Sequence, residues 1–234
     1  MNKLELSPRL AAIAAQVPEG ARLADVGTDH AYLPVHLLLT GTIARAVATD
    51  VNEGPLQRGR ETARTYGVED RMAFYRCDGL ASVGPDQADT VAICGMGGEL
   101  IARILDQAPW TRDALLLLQP MSSQPELRRW LLDHGYVIRR ERVVKEGEKY
   151  YVLLTATGGE NTIPYTPAEL WAGRQAPEED NPDRGEYLAD QIRRRERALA
   201  GMRQGNLDQE TLDREEALLA GLRDMEKEWS AWQR

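Results

Sequence analysis

Apolar residues in the first two thirds of the chain fall into short blocks that switch repeatedly between two periods. "ARLADVG" (21–27), "ARAVATD" (44–50), "RMAFYRCDG" (71–79), "ADTVAICG" (88–95) and "ALLLLQP" (114–120) are brief runs of aliphatic and branched residues, and they predict five strands. Between them lie "LPVHLLLTG" (33–41), the amphipathic stretch from Glu53 to Tyr66, "GELIARILDQA" (98–108) and residues 123 to 134. These read as helices, three of them stopped by Gly41, Gly67 and Gly135. A further helix opens the chain in "LSPRLAAIAAQV" (6–17): Ser7 can cap it, Pro8 suits its first position, and Leu10, Ile13, Ala14 and Val17 share a face.

Strand and helix alternate, so a doubly wound parallel α/β sheet is the economical architecture. The alternation then breaks. "YVIRRERVV" (136–144), the polar "KEGE" and "KYYVLLTA" (149–156) are strand, turn, strand, with no room for a crossover helix. A Rossmann-like sheet that ends in an antiparallel hairpin matches class I S-adenosylmethionine (SAM) methyltransferases. Nicotinamide dehydrogenases more often complete a second parallel half.

Residues 158–185, rich in Pro, Gly and acids, read as a solvated connector. After it, Leu188, Ile192, Leu199 and Met202 form one stripe, Gly205-Asn206 a turn, and Leu218, Leu222, Met225, Trp229 and Trp232 a second stripe. That spacing predicts two antiparallel helices packed as a coiled-coil-like hairpin. The expected organisation is therefore a sheet domain over 1–160, a linker over 161–185 and a helical hairpin over 186–234.

Composition changes this picture in three places. No apolar run approaches the ~18 residues that cross a bilayer, and the N-terminus lacks the apolar core of a signal peptide, so the expectation is a cytoplasmic protein without a membrane partner. Cys77 and Cys94 show no CxxC spacing, and no metal site is expected from them with His30 and His36. The net charge of −8 argues at first against nucleic acid, yet residues 1–165 hold 18 Lys+Arg against 21 Asp+Glu, and the basic residues cluster. Arg9, Arg128, Arg129, Arg139, Arg140 and the run from Arg193 to Arg197 are candidates for phosphate contacts; a solvated helix or strand face would look the same.

Candidate chemistry lies at the carboxyl ends of the strands, where ligands bind in open α/β sheets. The first ends in "DVGTDHAYLP" (25–34). It begins like a dinucleotide-binding loop, but Asp29 and Ala31 stand where the later glycines would be. Gly27 permits the turn; Asp29 adds charge that would repel a pyrophosphate and suit a ligand bearing an ammonium and a sulfonium. The second strand ends at Asp50, an acid placed to accept both hydroxyls of an adenosine ribose, or simply a turn former. Asp78-Gly79 ends the third and can take the amino group of an adenine, or make an Asp-Gly turn. "CGMGGEL" ends the fourth, where Gly95, Met96 and Gly97 can line a flat ligand, and "LQPM" ends the fifth.

Taken together, "LSPRL", "DVGTDHAYLP", "CDGL", "GMGGELI", "LQPM" and "EGEKYYVLL" resemble the bacterial TrmK family, the tRNA (adenine-22-N1)-methyltransferases, over about residues 4 to 156. Beyond that stretch the likeness is to the general plan of a C-terminal coiled-coil hairpin. The resemblance implies SAM as methyl donor and N1 of an adenine in the D-arm region of tRNA as acceptor. Carried over by motif, it implies cofactor contacts from Asp25, Gly27, Thr28, Asp29, His30, Asp50, Val51, Asp78, Gly79, Gly95, Met96 and Gly97. Asp29, His30 and Tyr32 are its candidate catalytic group, although His30 can equally be a packed loop histidine. Two departures stand out: Asp50 replaces a Glu found in some relatives, and "LQPM" replaces Gln-Pro-Asn, which puts a catalytic role for that last position in doubt. A small-molecule methyltransferase and a noncatalytic RNA-binding protein keeping the fold are the competing expectations. A monomer is expected, with dimerisation through the hairpin as the alternative.

Overall fold

In a computed structural model that describes residues 4–205 and 208–234, the five predicted strands and the hairpin join one seven-stranded sheet. Its order is β3-β2-β1-β4-β5-β7-β6, with β1 Leu23–Val26, β2 Ala46–Asp50, β3 Met72–Arg76, β4 Thr90–Gly97, β5 Leu115–Ser122, β6 Tyr136–Glu146 and β7 Lys149–Gly158. The first five strands pair in parallel, and β7 runs antiparallel to β5. The order in which strands are added reverses at the centre of the sheet, outward to β2 and β3 on one side of β1 and to β4 and β5 on the other, which is where such sheets open a crevice at their carboxyl ends.

The central strands are apolar because both faces are covered: Leu23, Ala24 and Val26 of β1, Val91 to Ile93 of β4 and Leu116 to Leu118 of β5 are buried. Helix α1 Pro8–Ala14 precedes the sheet, and α2 Tyr32–Thr40, α3 Glu53–Thr65, α4 Gly98–Asp106 and α5 Gln124–Asp133 lie between successive strands. Glycine closes α2 in a left-handed turn at Gly41. At the start of α1 the Ser7 side chain makes no capping bond, and Pro8 holds the first helical position while Ser7 O accepts from Ala11 N at 2.8 Å. The third strand stops at Arg76, so Asp78-Gly79 lies in a turn beyond it. The fourth runs through Gly97 by way of irregular pairing between Cys94 and Gly97.

Two compact units divide the chain. One comprises residues 1–140 and 144–161, the other residues 141–143 and 162–234. In the second unit, α7 Arg184–Gln204 and α8 Gln209–Trp232 bury Leu188, Ile192 and Leu199 with Leu218, Leu222, Met225 and Trp229, as the stripes predict. Met202 and Trp232 are only half-buried, and Leu219 is buried as well. Arg203 pairs with Glu216 and Arg223 with Glu196, each at 2.6 Å, a register in which one helix descends as the other climbs. Asn206 of the expected Gly205-Asn206 turn lies outside the described residues.

The stretch read as a solvated connector is folded. Thr166 and Glu169 form a capping box that starts α6 Pro167–Ala172, and Ala168, Leu170 and Ala172 are buried. Asn181, 3% exposed, accepts from Val143 N at 2.9 Å and donates to Glu141 O at 3.3 Å, while Arg184 donates to the carbonyls of Ala172 and Gly173. Pro, Gly and acidic composition signals loop, but it does not show that a loop's polar groups find buried partners. Replacing Asn181 with Ala orphans the Val143 amide and the Glu141 carbonyl, so Asn181→Ala is expected to cost about 1–3 kcal/mol in urea unfolding. A solvated connector would give no measurable change.

Candidate active site

Thr49 ties three loops together at the carboxyl edge of the sheet. Its carbonyl accepts from Gly27 N at 2.8 Å and Thr28 N at 3.0 Å, and its hydroxyl donates to Gly79 O at 2.9 Å. Cys77 N donates to Asp50 O at 3.1 Å, so the turn after β3 is fixed to the end of β2 as well. Thr49 is fully buried and was not among the residues singled out by motif; its only sequence signal is a polar residue inside an apolar strand.

Gly27 adopts φ +74°, and a Cβ there would run into Met96 Cε. Met96 therefore packs over the first turn, bringing the ends of β1 and β4 together. Gly79 adopts φ +55°, and a Cβ there would lie 2.8 Å from Ile104 of α4. Gly95, at φ +78°, has open space above it.

A cleft of about 330 Å³ opens beside these turns, bordered by Arg9, Asp25, Gly27, His30, Tyr32 and Gly95, with Thr28, Asp29 and Cys94 also in its wall. Asp50, Val51, Asp78, Gly79, Met96 and Gly97 are outside that lining. Asp50 caps its own turn by accepting from Asn52 N at 2.7 Å, Val51 is exposed, and Asp78 faces Arg103 at 3.5 Å.

Asp29 has a partner that the motif does not disclose. Arg58 of α3 donates to its carboxylate through Nε at 3.0 Å and through Nη2, and His30 Nε2 stands 3.7 Å from its other oxygen. The His30 and Tyr32 rings lie parallel with centroids 5.0 Å apart, and both side chains are partly exposed. Ala31 between them is left-handed at φ 53°, and its methyl sits 3.3 Å from where a Cβ at Gly59 would be. The buried face of α3, Leu56, Gly59 and Ala63, thus presses a helix against the loop and delivers Arg58 to it.

One arginine read as a phosphate candidate is placed away from the surface. Arg128 is fully buried in α5 on the same face as Leu127 and Leu131, so it has no surface from which to reach a phosphate. Arg9 belongs to the cleft wall, where it pairs with Glu146 and Gln119. Arg129 is exposed, Arg139 donates to Thr157 at 2.8 Å, and Arg140 is half-buried. Arg193 and Arg194 both pair with Asp190, while Arg195 pairs with Glu215 and lies 3.6 Å from the Trp171 ring centroid. Among the described residues no helix is long and apolar enough to cross a membrane, and no three His, Cys, Asp or Glu side chains are grouped to hold a metal.

A methyltransferase-domain family model matches residues 6–154. The tRNA (adenine(22)-N(1))-methyltransferase of Bacillus subtilis (strain 168) is 35% identical over 175 residues, covering 74% of each chain. This chain belongs to that family. The crystal structure of the B. subtilis m1A22 tRNA methyltransferase TrmK superposes with a TM-score of 0.78 at 28% identity, over 98% of this chain and 99% of that one. A Streptococcus pneumoniae structure in complex with SAM superposes with a TM-score of 0.81 at 31% identity, over 93% and 99%.

Burial sets the charge state of the methyltransferase's cleft. Desolvation pushes the Asp25 carboxyl up to about 6 from its ordinary 3.8, with the Thr28 hydroxyl drawing it back. Burial, and next the neighbouring Asp25 carboxylate, raise the Cys94 thiol, which Arg9 partly counters; Cys94 is therefore a neutral thiol. Because the folded pKa of Asp25 lies above the unfolded one, the fold binds more protons than the unfolded chain between pH 3.8 and about 6, and stability falls as pH rises through that window. Asp25→Asn is accordingly expected to raise the unfolding free energy of the ligand-free protein by roughly 1–3 kcal/mol at pH 7.5. The gain should shrink as pH is lowered through 6; a gain independent of pH would contradict this account.

Proposed function

We propose that the protein transfers the methyl group of SAM to N1 of adenine 22 of tRNA, leaving 1-methyladenosine and S-adenosylhomocysteine (SAH). The observation that carries this reading is the 35% identity, over 74% of both chains, with the B. subtilis tRNA (adenine(22)-N(1))-methyltransferase. The cleft fits the cofactor: a buried carboxyl at Asp25 suits an ammonium, and the wall lacks a Cβ at Gly95, where open space lets a ligand approach the backbone.

In this reading Asp25, Gly27, Thr28, Asp29 and His30 surround the amino-acid end of SAM. Asp50 and Val51 take the ribose, Asp78 and Gly79 the cofactor's adenine, and Gly95, Met96 and Gly97 the floor near the methyl. All of these positions fall within the expected catalytic domain, 1–160. The bound cofactor supplies an electrophilic methyl on a sulfonium. Adenine N1 is uncharged at neutral pH with its lone pair in the ring plane, so no residue need remove a proton from it.

What the chain must supply is alignment, which can lower a barrier by ~7–11 kcal/mol, and a counter-charge for the cationic base that forms. The parallel His30–Tyr32 pair offers a surface on which the target base can stack, and Asp29, held by Arg58, offers the counter-charge. N1 lies on the Watson-Crick edge, so a paired target must first be opened. Arg9, Arg129, Arg139 and Arg140 remain the candidates to grip phosphates, whereas Arg128 is buried. Mutual burial of the apolar stripes of α7 and α8 supports a monomer, and a tRNA substrate supports a cytoplasmic setting.

The decisive experiment is methyl transfer from labelled SAM to an unmodified tRNA transcript, followed by nucleoside analysis. 1-Methyladenosine is expected with adenine at position 22 and not with guanine there. Label in any other nucleoside, or none, would overturn the assignment. Asp29→Asn is expected to lower kcat by about 10- to 100-fold, with SAH affinity measured by calorimetry kept within a few fold. An equal loss of SAH affinity would instead place Asp29 on the cofactor's ammonium alone.

A further inference from the structure

Arg22, Arg45 and Arg71 each stand immediately before the first residue of a strand, in β1, β2 and β3 respectively. Those first residues, Leu23, Ala46 and Met72, are direct partners in the parallel register. The three arginines therefore form a row across the amino end of the sheet, stepping about 4.8 Å from one strand to the next. Like charges on adjacent strands repel one another. Arg22 is neutralised, since its Nε donates to Asp89 Oδ2 at 3.0 Å and its Nη1 to the Asp86 carbonyl at 2.7 Å. Arg71 is half-buried and donates through Nη1 to Leu38 O at 3.2 Å. Among the described residues neither Arg45 nor Arg71 is ion-paired with a carboxylate, and the Arg45 side chain has no hydrogen-bonding partner.

The row opens onto a cavity of about 470 Å³. Helices α2, α3 and α4 fill the connections after β1, β2 and β4, whereas residues 77–89, between β3 and β4, contain no helix. Phe74 turns toward α3, where a Cβ at Gly59 would lie 3.0 Å from its ring. By strand alternation Ala73 and Tyr75 face the other side of the sheet, with Val47 beside Ala73 in register. The helix-free connection reaches that side through Gln87, whose Nε2 donates to the Tyr75 hydroxyl at 3.0 Å. Val47, Ala73 and Tyr75 line the cavity together with the arginines. The hydroxyl hydrogen of Tyr75 and the second amide hydrogen of Gln87 are spent on no described residue.

Two guanidinium groups without a counter-charge, beside an apolar floor, are complementary to a dianion that carries a flat body. A carboxylate brings one charge to them; a phosphate monoester brings close to two and can accept from both. The volume lies within the range of about 300–1,000 Å³ usual for small-molecule sites, well beyond what a bare phosphate fills. Asp70 and Asp86 also border the cavity and are exposed. They oppose additional negative charge, which favours a single phosphate over a triphosphate or a stretch of RNA backbone. We propose that the amino end of the sheet carries a second binding site, for a nucleoside monophosphate, with the phosphate on Arg45 and Arg71 and the base against Val47, Ala73 and Tyr75. It is separate from the methyl-transfer cleft, because strands of about five residues hold the two ends of the sheet roughly 16 Å apart.

The test is calorimetric titration of AMP into protein saturated with SAH, which blocks the adenine position of the methyl-transfer cleft. AMP is the probe because its purine offers the larger flat surface. It is expected to bind at one site per chain, with adenosine and inorganic phosphate each weaker by about tenfold or more. Arg45→Gln is expected to lose about 10- to 100-fold in AMP affinity. Because Arg45 is exposed, that variant should keep wild-type thermal unfolding, SAH affinity and methyl transfer. Absence of AMP binding to wild type, or affinity unchanged in Arg45→Gln, would overturn the proposal. Competition between AMP and SAH would overturn it as well, by placing AMP in the catalytic cleft. Displacement of AMP by unmodified tRNA, with a raised KM for tRNA in Arg45→Gln, would assign the row to the RNA backbone instead. Protein that binds AMP in an Arg45-dependent way but fails to bind SAH would uphold this site and remove the methyltransferase reading.

Discussion

The backbone carbonyl of Thr49 accepts from two consecutive amides of the first loop while its hydroxyl holds the turn after the third strand. These bonds fix the spacing between the end of β1, the end of β2 and the Asp78-Gly79 turn. Every role proposed for the cleft depends on that spacing. A parallel sheet aligns strand ends only approximately, because each loop is otherwise free to wander. Gly27 makes the tie possible, since its left-handed turn lets the two amides reach one acceptor and leaves room for Met96 to close over the turn.

Around this frame the charges are arranged in opposed pairs. Arg58 stands on Asp29, Glu146 on Arg9 and Arg103 on Asp78, whereas buried Asp25 is left to its desolvation. Methyl transfer from a sulfonium to a neutral ring nitrogen moves one positive charge by a few ångströms and neither creates nor destroys it. A site for such a reaction must hold compensating charge steady across that distance. Paired carboxylates that are already anchored do this without reorganising, which is the physical sense of Arg58 on α3 and of the close Gly59 packing that brings it there.

Much of the fold was legible because its signals are local. Apolar runs of strand length, helices stopped by glycine, and a polar two-residue turn between β6 and β7 each depend on neighbours in sequence, and the parallel order of the central strands follows from alternation. The motif loops were legible for the same reason: Gly27, Asp29 and His30 advertise an unusual turn. Partners distant in sequence were not. Thr49 looks like a strand residue, Arg58 like one more surface arginine, and Gln119, Glu146 and Tyr151 gain meaning only when three strands meet at Arg9. Burial misled in both directions. Arg128 carries a charge inside a helix face that composition would place in solvent, and residues 162–185 fold where composition suggests a connector.

The most direct measurement is a crystal structure of the protein with SAH bound. The account predicts the ribose hydroxyls on Asp50, the adenine beside Asp78-Gly79 and the amino-acid end in the cleft bordered by Asp25 and Arg9. SAH at the opposite end of the strands, in the cavity of about 470 Å³ lined by Arg22, Arg45 and Arg71, would contradict it, as would a ligand that leaves Asp25 and Asp50 untouched.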